Sequence, residues 1–352
     1  MHLKVFVAVL VLVCSAVLAM PCSAQLGTYS VPANKIFVAG ISSGGYMAVQ
    51  MHVAFSHTFK GAAIYAGGPY YCALDSLEVA LTTCLDDAPP IPLSTLEDTT
   101  IGWSKQKLID PLSDLKGQPV YMWSGLADTT VLQPVMNALQ TFYQDFGANV
   151  FQYDNNFWAQ HGWESPSGSL SCPEFAPPFV IQCTGADRNP PDTSAGLTTV
   201  YDSEQVWLTR FFGALKPKNT TGTLAGTIVS FDQNQFAPGG SASAISMDST
   251  GYAFVPQACA QGKSCGLVLA LHGCLQYYGL VGSAFVDDAG INEWADTNKI
   301  IVLYPQATAT PITNGEGCWD WWGYQNDPDY ALKSGPQMQA LYAMVAKAAG
   351  LR

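Results

Sequence analysis

Lys35-Ile36-Phe37-Val38-Ala39-Gly40-Ile41-Ser42-Ser43-Gly44-Gly45-Tyr46 is the stretch that decides how this chain folds. A short apolar strand runs directly into Gly-x-Ser-x-Gly, and a helical pattern follows from about Ser43 to Phe55. In a chain with 32 glycines the spacing alone says little. Strand, tight turn and helix in succession say more, because a nucleophile elbow needs glycine wherever strand and helix approach without room for a Cβ. Ser42 is then the elbow serine, held in a strained conformation at the end of its strand. The amide of the next residue, Ser43, should point toward a developing oxyanion. The competing reading is a glycine-rich strand–helix turn without chemistry.

A serine nucleophile needs a base, and the chain has five histidines. His2 falls in an N-terminal leader. His52 and His57 lie on or just beyond the helix after the elbow, which carries them away from the serine. His272 closes the apolar strand Leu267-Val268-Leu269-Ala270-Leu271 and fits a loop framework better. His161 remains, in a polar and aromatic loop after the strand-like Asn149-Val150-Phe151-Gln152-Tyr153. The acid belongs between serine and histidine in the usual chain order of this arrangement. Gln118-Pro119-Val120-Tyr121-Met122-Trp123 reads as a buried strand, and Asp128 sits in the loop leaving it. A carboxylate there can orient the histidine and stabilise its imidazolium. Asp145, in a helix after Pro134, and Asp154, almost within the strand before the histidine, are weaker alternatives.

Strands ending at Ser42, near Ala66, before Asp128 and before His161 match the second half of an α/β-hydrolase sheet. The first half lies at the other end of the chain. A second oxyanion amide normally comes from a loop that precedes the nucleophile. Here the strand Leu267–Leu271 and its loop His272-Gly273-Cys274-Leu275-Gln276 follow the histidine instead. Ile300 to Pro305 is another buried strand, and Gly335 to Ala349 a plausible amphipathic helix. Placing this C-terminal third before residue 34 restores the ordinary order. The expected fold is therefore α/β: a circularly permuted α/β-hydrolase, with a mainly parallel central sheet flanked by helices and its native termini close together.

Residues 1–24 read as a secretory signal peptide: one early positive charge, an apolar run from Val5 to Val13 extended by Ala16 to Met20, and Cys22-Ser23-Ala24 as the cleavage site. Residues 25–352 then form a single catalytic domain. A net charge of −12 argues against nucleic acid or anionic lipid as partners. Eight cysteines remain after the leader: Cys72, Cys84, Cys172, Cys183, Cys259, Cys265, Cys274 and Cys318. An even number in an oxidising compartment reads as disulfides. Many pairings are open, but 72–84, 172–183 and 259–265 are close in sequence, which leaves 274–318. A zinc site would need Cys-x-x-Cys spacing or clustered histidines, and the sequence has neither. Asn219-Thr220-Thr221 is a glycosylation sequon if the host is eukaryotic.

The segments Gly-Ile-Ser-Ser-Gly-Gly-Tyr-Met, Trp-Ser-Gly-Leu-Ala-Asp-Thr-Thr, Leu-His-Gly-Cys-Leu-Gln and Gly-Cys-Trp-Asp-Trp carry a family likeness. Together they resemble extracellular poly(3-hydroxybutyrate) depolymerases of the single-domain, circularly permuted fungal type, over nearly all of the chain after the leader. The resemblance implies a Ser42–His161–Asp128 triad and an oxyanion hole from the amides of Ser43 and Cys274. It also implies a substrate-contacting Trp321, and the four pairings above fit the family. Two positions depart from the family pattern: Gly162-Trp163 directly after the histidine, and Glu316 two residues before Cys318.

The expected activity is ester hydrolysis through an acyl-enzyme, on poly(3-hydroxybutyrate), related polyhydroxyalkanoates or their oligomers, without metal or organic cofactor. The expected partner is a solid or oligomeric polyester, not nucleic acid or membrane, and the protein is expected to be a secreted monomer. A secreted feruloyl or acetyl esterase acting on plant polysaccharide would use identical chemistry. A polymer-binding protein on an esterase scaffold would do without it.

Overall fold

Along the central strands successive residues alternate between two apolar layers, so both faces of the sheet must be covered. The computed structural model describes residues 25–194 and 196–351. The signal peptide expected at 1–24 lies outside them. The strands are β1 (Ile36–Ile41), β2 (Ala62–Tyr65), β3 (Pro119–Trp123), β4 (Asn149–Asp154), β5 (Trp163–Glu164), β6 (Leu170–Ser171), β7 (Val180–Gln182), β8 (Thr227–Asp232), β9 (Thr250–Val255), β10 (Gly266–Leu271) and β11 (Ile300–Tyr304). Eight of them make one sheet in the order β4-β3-β2-β1-β10-β11-β9-β8, and β5-β7-β6 make a small second one. The six from β4 to β11 are parallel, while β9 and β8 pair antiparallel at one edge.

Ile36 and Val38 of β1 pack with Leu267, Leu269 and Leu271 of β10 on one face, under the helices Ser43–Ala54 and Pro336–Ala349. Phe37, Ala39 and Ile41 face the other way with Val268 and Ala270, under the helices Ser203–Phe212 and Ile291–Asn298. Three layers result, and none of the central strands has a wet face. Among the described residues no helix is long and apolar enough to cross a membrane.

β1 lies in register against β10, Val38 opposite Leu269, and against β2, Val38 opposite Ala62. The late strand β10 therefore sits beside the early strand β1, as a permuted chain requires. Tyr29 N donates to Ala348 O at 2.8 Å, so the start of the described chain meets the end of the final helix. That contact is where an unpermuted chain would run through. The loops after β1, β3, β4 and β10 all open at the carboxyl ends of parallel strands, the usual place for a site in an α/β sheet.

Candidate active site

Ser42 leaves β1 with φ 56° and ψ −125°, outside the ordinary regions for a residue with a side chain. Its amide donates to Tyr65 O at 2.9 Å, which ties the turn to the end of β2. A Cβ on Gly44 would stand 2.3 Å from the carbonyl oxygens of Leu271 and His272. Only glycine lets the helix slide that close to the end of β10. The last glycine of Gly-x-Ser-x-Gly is thus fixed by packing.

Asp128 and His161 reach each other from the loops after β3 and β4. Asp128 Oδ1 accepts from the amides of Thr130 (2.8 Å) and Val131 (2.9 Å), and Oδ2 lies 2.9 Å from His161 Nδ1. Both side chains are buried. With Nδ1 turned to the carboxylate as donor, the basic lone pair of the neutral ring is on Nε2. Ser42 and His161 line one cavity, and among the described residues no hydrogen bond joins the Ser42 hydroxyl to the imidazole. The alternative carboxylates are engaged elsewhere. Asp154 accepts from the hydroxyls of Tyr121 (2.8 Å) and Tyr201, and Asp145 closes the helix Gln133–Asp145.

Ser43 is the first residue of its helix, so its amide has no carbonyl partner within the helix. Cys274 lines the same cavity from the loop after β10, bonded to Cys318 with a Cα–Cα distance of 4.3 Å. Gln276, buried in the same loop, accepts from Gly273 N at 2.7 Å and donates to the carbonyls of Pro178 (2.8 Å) and Phe179 (3.1 Å). His52 and His272 are both buried, and desolvation pushes each imidazole down to about 4. Neither lines the cavity.

The cavity encloses about 540 Å³ and is mostly apolar. Leu77, Leu81 and Leu85 form one side, Phe175 and Phe179 another, and Trp321 and Trp322 a third. Three of the four disulfides frame these walls. Cys72–Cys84 closes the segment bearing Leu77 and Leu81, Cys172–Cys183 the one bearing Phe175 and Phe179, and Cys274–Cys318 joins the β10 loop to the tryptophan segment. Cys259–Cys265 lies at the far end of β10.

Trp321 stacks on Tyr46 with ring centroids 4.0 Å apart, and its buried indole nitrogen has no acceptor among the described residues. Trp319 is core instead, donating from Nε1 to His272 O at 3.0 Å. The sequence reading missed Tyr46 and the two apolar walls. Leu77, Leu81 and Leu85 recur every fourth residue, a helical stripe that could have flagged one of them.

The two departures from the family pattern differ in kind. Trp163 is fully buried, its indole donating to Glu204 Oε1 (2.9 Å) and Ala289 O (3.0 Å). Glu316 is exposed on the cavity lining, with its carbonyl accepting from Leu275 N at 2.8 Å. Cys274, Glu316 and Cys318 also come together as possible metal ligands, but both sulfurs are consumed in the disulfide. Asn219 lies away from the cavity, its side-chain amide donating to Thr223 O and Asp296 Oδ2, each at 2.9 Å.

No family model matches the chain. It is 40% identical over 326 residues to a poly(3-hydroxybutyrate) depolymerase of Delftia acidovorans, covering 90% of this chain and only 61% of that protein's length. It is 38% identical over 338 residues to a polyhydroxybutyrate depolymerase of Talaromyces funiculosus, covering 91% of each. Among solved structures, a PHB depolymerase from Penicillium funiculosum superposes with a TM-score of 0.78 at 34% identity, over 93% of this chain and 99% of that one. A PHB depolymerase with serine changed to alanine, complexed with an R3HB trimer, superposes with a TM-score of 0.79 at the same identity.

Proposed function

The chain belongs to the polyhydroxybutyrate depolymerases, and from that premise we propose that it is a secreted serine esterase cleaving poly(3-hydroxybutyrate), related polyhydroxyalkanoates and their oligomers. The observation that carries the reading is the buried 2.9 Å contact between Asp128 Oδ2 and His161 Nδ1, with His161 lining the same cavity as the strained Ser42.

Ser42 Oγ attacks the ester carbonyl while His161 Nε2 takes its proton. Asp128 fixes the tautomer and stabilises the imidazolium. The amides of Ser43 and Cys274 receive the tetrahedral oxyanion, where preorganised donors stabilise charge as it develops. His161 then returns the proton to the departing alcohol end of the polyester. Water, activated by the same imidazole, hydrolyses the 3-hydroxyacyl enzyme and frees Ser42.

The walls are the part that selects the substrate. A polyester segment is apolar except for its ester oxygens, which suits leucine, phenylalanine and tryptophan surfaces with few donors. Trp321 belongs to that apolar wall, its ring stacked on Tyr46. The leader at 1–24 and the four disulfides support secretion, with residues 25–352 as one catalytic domain. A glycan on Asn219 would give up one of the two hydrogen bonds its amide now makes.

The test is to incubate the protein with a poly(3-hydroxybutyrate) film and identify the released hydroxyacids, beside a panel of feruloyl and acetyl esters. Soluble 3-hydroxybutyrate or its short oligomers support the reading. Turnover of the panel with an intact film would overturn it.

A further inference from the structure

We infer that His272 positions the oxyanion amide of Cys274 by fixing the Gly273–Cys274 peptide plane. The inference rests on the proposed role of that amide and adds a residue that does not line the cavity.

His272 Nε2 lies 3.1 Å from the backbone nitrogen of Ala307. A backbone N–H can only donate, so Nε2 holds a lone pair. The proton of the neutral ring is therefore on Nδ1. Nδ1 lies 2.7 Å from Gly273 O and donates to it. In a trans peptide the carbonyl and the following N–H point in opposite directions. The Gly273 carbonyl and the Cys274 amide share one such plane. Holding the carbonyl against the buried ring turns the N–H the other way, to the side where Cys274 lines the cavity with Ser42.

The preceding plane is held as well, with His272 O accepting from Trp319 Nε1 at 3.0 Å and Gly273 N donating to Gln276 Oε1 at 2.7 Å. This loop lies against the nucleophile: a Cβ on Gly273 would stand 3.1 Å from Ser42 Cβ. A glycine between two planes is also the residue whose planes rotate most easily, so an aimed amide there needs an external clamp. Burial keeps the ring neutral by pushing it down to about 4, and only the neutral ring can accept from Ala307 while donating to Gly273.

Two substitutions separate the two bonds. In His272→Gln the terminal amide sits near the Nε2 position, where it can accept from Ala307 N, and no donor reaches Gly273 O. In His272→Asn the terminal amide sits near the Nδ1 position and can still donate to Gly273 O. With a soluble ester, His272→Gln should lose about 10²-fold in kcat with KM little changed, the scale of one oxyanion donor. His272→Asn should keep at least about tenfold more kcat than the Gln variant. Equal losses, or wild-type kcat in folded His272→Gln, would overturn the inference.

Should neither variant fold, ¹⁵N-histidine NMR of the wild-type protein reads the tautomer directly. A neutral His272 protonated on Nδ1 is expected, and an Nε2-protonated ring or an imidazolium at neutral pH would overturn the inference. Ser42→Ala separates this failure from that of the site itself. If that variant kept its turnover, the whole site reading would fall and this inference with it. If it lost turnover while His272→Gln kept it, only the role of His272 would fall.

Discussion

A Cβ on Gly125 would stand 2.0 Å from the carbonyl oxygen of Ala159, because the loops carrying the proposed acid and base, Asp128 and His161, run against each other backbone to backbone. Ser124 N donates to Asp154 O (2.9 Å), Leu126 N to Phe157 O (2.7 Å) and Ala127 N to Ala159 O (3.0 Å). This zipper brings Asp128 opposite His161, so the contact between the two side chains is inherited from main-chain pairing. Gly125→Ala must push the loops apart. We expect it to destabilise the fold by about 1–3 kcal/mol, as overpacking does. It should also lower kcat at least about tenfold by lengthening the Asp128–His161 contact, since small misplacements of catalytic groups are amplified in rate. Thermal melts and kinetics on a soluble ester check both, and a fully active, stable variant would contradict the account.

Asp128→Asn isolates the carboxylate from its loop. An asparagine oxygen in the Oδ1 position keeps the bonds from Thr130 N and Val131 N, so the fold should hold. Its NH₂ then faces Nδ1 and forces the wrong tautomer, leaving Nε2 protonated. A loss on the order of 10⁴-fold in kcat is expected, as for a triad aspartate elsewhere. A loss below about tenfold would move the acid to another residue.

Much of this candidate site was legible in the sequence because the residues proposed for it sit next to strong local signals. Ser42 follows an apolar strand and precedes a glycine-rich helix start, and Asp128 and His161 each lie a few residues past a strand. Chain order then did the rest, including the displaced position of β10 that marks the permutation. What local signals do not carry is contact between distant segments. The Gly125–Ala159 approach depends on two loops more than thirty residues apart. Tyr46 reads as one more helix residue until it stacks on Trp321. Glu164 and Glu204, which no sequence signal singled out, are both fully buried around Trp163 and Ser203, where desolvation raises their carboxyls well above the usual range. Polarity alone places such residues outside.

Asp320, beside Trp321, gives a pH dependence with a definite sign. Burial raises its carboxyl to about 7, against the bonds it accepts from the amides of Tyr324 and Gly323. A carboxyl raised in the folded state contributes stability that is fully present below its unfolded pKa, near 4, and lost as pH rises toward 7. His52 and His272, lowered to about 4, work oppositely, their stability present above pH 6.5 and lost as pH falls toward 4. The wild-type curve therefore mixes the two. The difference between Asp320→Asn and wild type isolates the first, and should swing by a few kcal/mol (on the order of 4 at most) in favour of the variant between pH 4 and 7. Denaturant melts across that range measure it, and a flat difference would contradict the assignment.

The Cys274–Cys318 bridge joins the loop of the proposed oxyanion amide to the wall bearing Trp321. Replacing both cysteines with serine leaves every backbone amide in place and removes the tether. Stability should fall by about 2–5 kcal/mol. Well below the new melting temperature, turnover should fall more than substrate binding, because an oxyanion donor works only when held about 3 Å from the developing charge. Unchanged kcat in the folded variant would leave the bridge a staple of the fold.

Every other proposed role depends on Ser42 being the nucleophile, and one covalent experiment reads that atom. The enzyme is treated with an organophosphate that reacts with activated serines, digested, and mapped by mass spectrometry while residual esterase activity is followed. One phosphoryl group per chain on the peptide containing Ser42, with activity lost in proportion and no labelling of Ser42→Ala, is the predicted result. Labelling at another serine, or an enzyme fully labelled at Ser42 that still hydrolyses esters, would contradict the central claim.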